Sequence, residues 1–128
     1  MPELEKLTVN IGPVDLGQIE VLVAHGFYAN RAEFIRLAIQ NQLLRHGDTI
    51  REVAARDTFV IGALSYGRSA LEQLRQSEVR LGIRVIGLLS LGEDVDADLA
   101  REVIESVQVR GIFRAPPDVK SALADRTR

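Results

Sequence analysis

The sequence predicts an α/β chain made of two unlike parts: a strand-helix-helix unit first, then a three-fold βα repeat with a parallel sheet. Three observations predict it. Residues 5–12, "EKLTVNIG", alternate polar and apolar side chains as a half-buried strand does. Two runs with apolar residues at helical spacing follow, and nothing nearby offers the strand a partner. Beyond residue 58, "VIGALSYG", "VIGLLSLG" and "VRGIFRAP" align, with Gly62, Gly87 and Gly111 spaced 25 and 24 residues apart. Each of these runs precedes a helical pattern.

In the first unit, Leu7, Val9 and Ile11 would share one face of the strand, and Lys6, Thr8 and Asn10 the other. The first face wants a core; the second offers a cation, a hydroxyl and a carboxamide to hydrogen-bond partners. After Gly12-Pro13, Leu16, Ile19, Leu22 and Val23 recur at helical spacing, and Gly26 is placed to end the helix as its C′ residue. The next helix opens at Asn30, with Glu33 three residues on in the manner of a capping box. Phe34, Ile35, Ala38, Ile39 and Leu43 form its wide apolar stripe, and Gly47 is expected to stop it. A short third helix, from Thr49 with Glu52 three residues on, leads into the rest of the chain. The expected organisation is a first domain over 1–47, a helical linker over 48–57 and the repeat domain over 58–128.

One strand with two helices cannot cover so broad an apolar face alone. A second copy would: two identical strands pairing antiparallel about a two-fold axis bury Leu7, Val9 and Ile11 against both sets of helices, with Phe34 and Ile35 in the same shared core.

In the repeat domain, the first helix is expected to open on Ser69 and Glu72 as a capping box. The second is expected to open on Asp96 or Asp98, and the third on Pro116-Pro117. The first two strands are continuous apolar runs, which suits burial on both faces, while the third alternates more and suits an edge. Strand, helix and parallel strand in succession call for right-handed crossovers.

Composition narrows the function. The chain has 128 residues, 46% hydrophobic and 27% charged, the make-up of a folded soluble protein. No apolar run approaches the roughly 18 residues needed to span a bilayer, and the opening "MPELEK" lacks the basic-then-apolar pattern of an export signal, so the expected location is cytoplasmic, away from membranes. Zero cysteines leave His25 and His46 as the only soft ligands, so no metal site, cofactor or catalytic group is expected. The acidic run at 94–105 has calcium-loop spacing, but its sixth place, which needs glycine, holds Leu99. Those acids read instead as first-turn charges that complement a helix dipole. Ser65 and Ser90 follow similar strands, yet neither lies in a nucleophile-elbow motif. Residues 1–57 carry six Lys/Arg against eight Asp/Glu, and residues 58–128 ten of each. Such balance disfavours bulk phosphate neutralisation and leaves room for a reader that docks through a few placed contacts.

Residues 5–47 resemble the ribbon-helix-helix family, the class of the Arc, MetJ and CopG repressors. The resemblance rests on "KLTVNIG", a helix, and then "GFYANRAEFIRLAI", similar to the family's glycine, aromatic, capping residue, Arg, Ser, Glu and apolar run. Ala32 departs from it, standing where Ser is usual, which removes one phosphate-binding hydroxyl and leaves the backbone donors. The resemblance implies that the paired strands enter the major groove of double-stranded DNA with Lys6, Thr8 and Asn10 on base edges. It places Asn30 and Arg31 at a phosphate, on the free amides that begin the second helix.

The function expected is that of a sequence-specific transcriptional regulator, a repressor, working as a homodimer or a higher oligomer. Its second half would serve assembly, or bind a protein or small-ligand effector. Two alternatives stand beside it: a structural or protein-interaction module whose N-terminal unit only dimerises, and an antitoxin whose C-terminal half neutralises a toxin. The regular patterning of that half argues against the disordered arm usual in the latter role.

Overall fold

The computed structural model describes residues 4–128, which divide into two compact units, one reaching Asp48 and the other running from Thr49 to Arg128. In the first unit, residues 4–12 carry neither helix nor strand pairing within the single chain. Helix α1, Pro13–Ala24, starts on Pro13 immediately after an extended Gly12, where a missing N–H costs no intrahelical bond. It ends in a Schellman closure. Gly26, at φ +80°, donates to the Val23 carbonyl at 3.1 Å, and the Phe27 amide donates to the Leu22 carbonyl at 3.0 Å.

Helix α2, Arg31–Arg45, is capped by Asn30, whose Oδ1 accepts the Glu33 amide at 2.8 Å. The returning half of the expected capping box lands one residue early, since the Glu33 carboxylate accepts the amide of Ala29. Tyr28 meets Phe34 edge to face, ring centroids 5.0 Å apart.

The second unit alternates strand and helix. After α3 (Gly47–Arg56) come β1 (Val60–Tyr66), α4 (Arg68–Gln76), β2 (Leu81–Leu91), α5 (Ala97–Val103), β3 (Ile104–Arg114) and α6 (Pro117–Leu123). The strands form one parallel sheet in the order β1-β2-β3. Gly62, Gly87 and Gly111 lie side by side in register. Alternate residues of β2, Ile83, Val85, Leu89 and Leu91, are buried with Leu71, Leu99, Ala100, Val103, Val119 and Leu123 of the helices. Between them Gly82 and Arg84 are exposed, and Ile86, Leu88 and Ser90 half-buried. The helices therefore cover one face of the sheet.

Three expectations need correction. Burial of the first two strands on both faces does not occur: β1 is an edge strand, with Val60 through Ala63 exposed, because a sequential strand order lets all the crossover helices sit on one side. Ser69 is not a cap. Helix α4 begins two residues earlier than that cap would allow, at Arg68 behind Gly67, and the Arg68 amide is met by the Asp94 carboxylate at 3.2 Å, a partner 26 residues away that no local pattern contains. Glu72 pairs with Arg68 at 3.1 Å instead of closing a box. Helix α2 ends at Arg45, just before the stop expected at Gly47, but Gly47 is also the first residue of α3, so that helix starts two residues before Thr49. Of the two caps expected for α5, Asp96 is the one used, accepting the Leu99 amide at 2.8 Å.

Candidate nucleic-acid interface

Lys6, Thr8 and Asn10 are all exposed, and so are the apolar residues between them. Leu7 is 79%, Val9 71% and Ile11 48% exposed. Water is a poor environment for three aliphatic side chains in a row. The same imbalance continues along α2, which buries no residue in the single copy: Ile35, Ile39 and Leu43 are exposed and Phe34 is half-buried. Among the described residues, twelve of the fifteen large exposed hydrophobics lie between Leu4 and Leu44. A patch of that size on one small unit marks an interaction surface.

Asn30 and Arg31 sit at the start of α2. With Asn30 Oδ1 on the Glu33 amide, the remaining first-turn amides keep the positive end of the helix dipole. Glu33 occupies one side of that terminus through Ala29. Arg31 lies 3.6 Å from Glu20 of α1, both side chains more than half exposed. An ion pair so exposed holds its arginine loosely. A phosphate would meet little resistance in drawing Arg31 away. Glu20 was not singled out in the sequence, because it belongs to the preceding helix and the pairing becomes visible only when α1 and α2 fold together.

The structure brings Asn30, Arg31 and Phe34 together at one helix start and leaves Lys6, Thr8 and Asn10 on the segment ahead of α1. The model of the ribbon-helix-helix transcriptional regulator family matches residues 2–120. The chain belongs to that family. No curated protein and no solved structure matches it. The match runs well beyond the first unit and spans the residues that form the parallel sheet.

In the second unit, a cleft of about 550 Å³ opens at the C-terminal ends of β2 and β3, lined by Ser90, Gly92, Glu93, Arg114 and the Pro116-Pro117 pair. Parallel sheets bind ligands at that end of their strands. Asp94 and Asp96, part of the acidic run, are engaged in structure: Arg68 Nη1 donates to the Asp96 carboxylate at 3.0 Å and to the Asp94 carbonyl at 3.4 Å. The Asp96 carboxyl is held below the usual carboxylate range, first by the Leu99 amide and then by Arg68. No helix of the described residues is long and apolar enough to cross a membrane.

Proposed function

We propose that this ribbon-helix-helix regulator binds operator DNA as a homodimer and represses transcription. Residues 5–11 of two copies pair antiparallel, burying Leu7, Val9 and Ile11 against Phe34 and Ile35 of both α2 helices, and present Lys6, Thr8 and Asn10 to the major groove. The observation that carries this reading is the row of exposed aliphatic side chains at 7, 9 and 11, on a segment with no strand partner among the described residues of its chain. Asn suits adenine N6/N7, Lys suits guanine O6/N7, and Thr suits a base acceptor or a thymine methyl. Arg31, released from Glu20, and the α2 amides behind Asn30 would take a phosphate and set the register.

A gel shift against the DNA upstream of its own gene tests the proposal, comparing the natural protein with Thr8→Ala/Asn10→Ala. Each lost base contact should reduce discrimination against a mismatched operator by about 1–3 kcal/mol. Arg31→Ala should instead weaken all sequences alike and lower the salt slope by about 1. Unchanged affinity and specificity in the double variant would remove the base-reading role of the segment.

A further inference from the structure

Among the described residues, β1 is paired on one side only, by β2. Its other edge is bare. Val60 is 48% and Ile61 53% exposed, and Gly62 and Ala63 beside them are exposed as well. The strand, "VIGALSY", contains no charged residue and no proline, the devices that keep an open sheet edge from pairing. The opposite edge of the sheet is treated differently. β3 carries Arg110 and Arg114, and the end of the chain lies along it: Thr127 bridges Val107, and the Arg128 amide donates to the Val107 carbonyl at 2.8 Å.

The glycine row supplies a second, independent observation. Gly62, Gly87 and Gly111 have φ of +137°, +138° and +132°, a conformation open in practice to glycine alone. At Gly87 a Cβ would lie 2.0 Å from the Gly62 carbonyl oxygen, and at Gly111 it would lie 2.0 Å from that of Gly87. In both, the backbone of the preceding strand fills the space. Gly62 has the same backbone, yet nothing lies within 4 Å of where its Cβ would be. A slot shaped for a neighbouring main chain is open on the outer side of β1.

We propose that this edge is an interface between two copies of the chain, each seating its own β1 antiparallel to the other about a two-fold axis, so that two three-stranded sheets become one of six strands. The occupant is a second copy because an uncharged strand meets itself without setting like charges opposite one another. Pairing β1 with β3 of another copy would run along the edge that Thr127 and Arg128 cover, and would give an array with no closure. One strand edge buries less than the roughly 1,000 Å² expected of a stable interface. The contact thus depends on copies held near each other, which a dimer made through residues 5–11 would do by raising the effective concentration. It does not depend on whether Lys6, Thr8 and Asn10 read bases.

The chain has no cysteine, so single cysteines in the full-length protein report on neighbours. Ala63→Cys in β1 and Glu105→Cys in β3 are each treated with a short bismaleimide. Ala63→Cys should give covalent dimer in several-fold higher yield than Glu105→Cys. Adding Ile61→Lys, a change at an exposed side chain that leaves the circular dichroism spectrum intact, should lower the Ala63→Cys yield several-fold. Equal yields at the two positions, or a yield indifferent to Ile61→Lys, overturn the proposal. So does a light-scattering mass that climbs with concentration without a plateau, the mark of head-to-tail stacking. Thr8→Ala/Asn10→Ala should leave the crosslink unchanged, which separates a failure here from a failure of DNA reading.

Discussion

The two units of this chain solve the burial problem in opposite ways. From Thr49 onward the chain closes its own core, with Leu71, Leu89, Leu99, Ile104 and Leu123 at most 1% exposed. Up to Asp48, Ile19 is the only buried hydrophobic among the described residues. The contrast does not come from composition, since both parts are rich in aliphatic residues at regular spacing. It comes from topology: three βα units pack side by side within one chain, whereas the described segment ahead of α1 and two helices have no second layer. A unit that cannot complete itself is a unit whose stability depends on a partner.

The largest effect expected of any single change is in the self-sufficient unit. Gly87→Ala sets a Cβ 2.0 Å from the Gly62 carbonyl oxygen, on a backbone at φ +138° that disfavours any side chain. A loss of more than about 4 kcal/mol is expected, enough to unfold the sheet. Circular dichroism should then retain the helical signal of the first unit while strand signal is lost. Leu99→Ala comes next, at about 3 kcal/mol, from a side chain that is 1% exposed in the middle of the helix layer. Urea unfolding should place that loss at the same value whatever the protein concentration.

Phe34→Ala sharpens the comparison from the other side. Phe34 is half-buried in one copy and meets Tyr28 edge to face. Its removal should cost about 2 kcal/mol, and the midpoint of the associated transition should rise with protein concentration, as a dimer's does. A midpoint independent of concentration would mean that the first unit is stable as a single copy. Asn30→Ala is smaller again, about 1 kcal/mol, through loss of the cap on the Glu33 amide.

Local signals were legible where the partner lies within a few residues. Asn30 and Glu33 announce the start of α2, Gly26 announces the end of α1, and Pro116-Pro117 announces α6; all three stand where the pattern puts them. The 25- and 24-residue spacing of the three glycines likewise anticipated their alignment across the parallel sheet. Reading failed where the deciding partner is remote. Ser69 and Glu72 have the letters of a capping box, but Asp94 reaches the same helix start from the next βα unit. The apolar run at Val60 reads as a doubly buried strand, and only the sheet order makes it an edge. Thr58 and Glu78 close their helices at φ +57°, a role that glycine usually fills and that neither residue type signals. At the candidate interface, the alternation at residues 5–12 indicates which side chains need covering, while Glu20 beside Arg31 required the folded helix pair.

The smallest expected effect is a pH dependence in the second unit. Asp96 accepts the Leu99 amide and pairs with Arg68 at 3.0 Å, so its folded carboxyl titrates below the ordinary value of 3.8. A group with a depressed folded pKa contributes stability that is fully present above its unfolded pKa and fades as pH falls through the folded one. The thermal midpoint of the second unit should therefore hold steady from neutrality down to about pH 5, then decline below about pH 4. Asp96→Asn keeps an oxygen for the Leu99 amide but has no proton to gain, so it should start from a slightly lower midpoint and show a flatter acid limb. Because the Arg68 pair is exposed and the capping bond is part-buried, salt should erode the Arg68 share while sparing the share from Leu99. Equal acid limbs in the two proteins would shift the origin of that limb to other carboxylates of the unit. A limb that flattens only in Asp96→Asn would tie it to the acid that caps α5 and pairs with Arg68 at the start of α4.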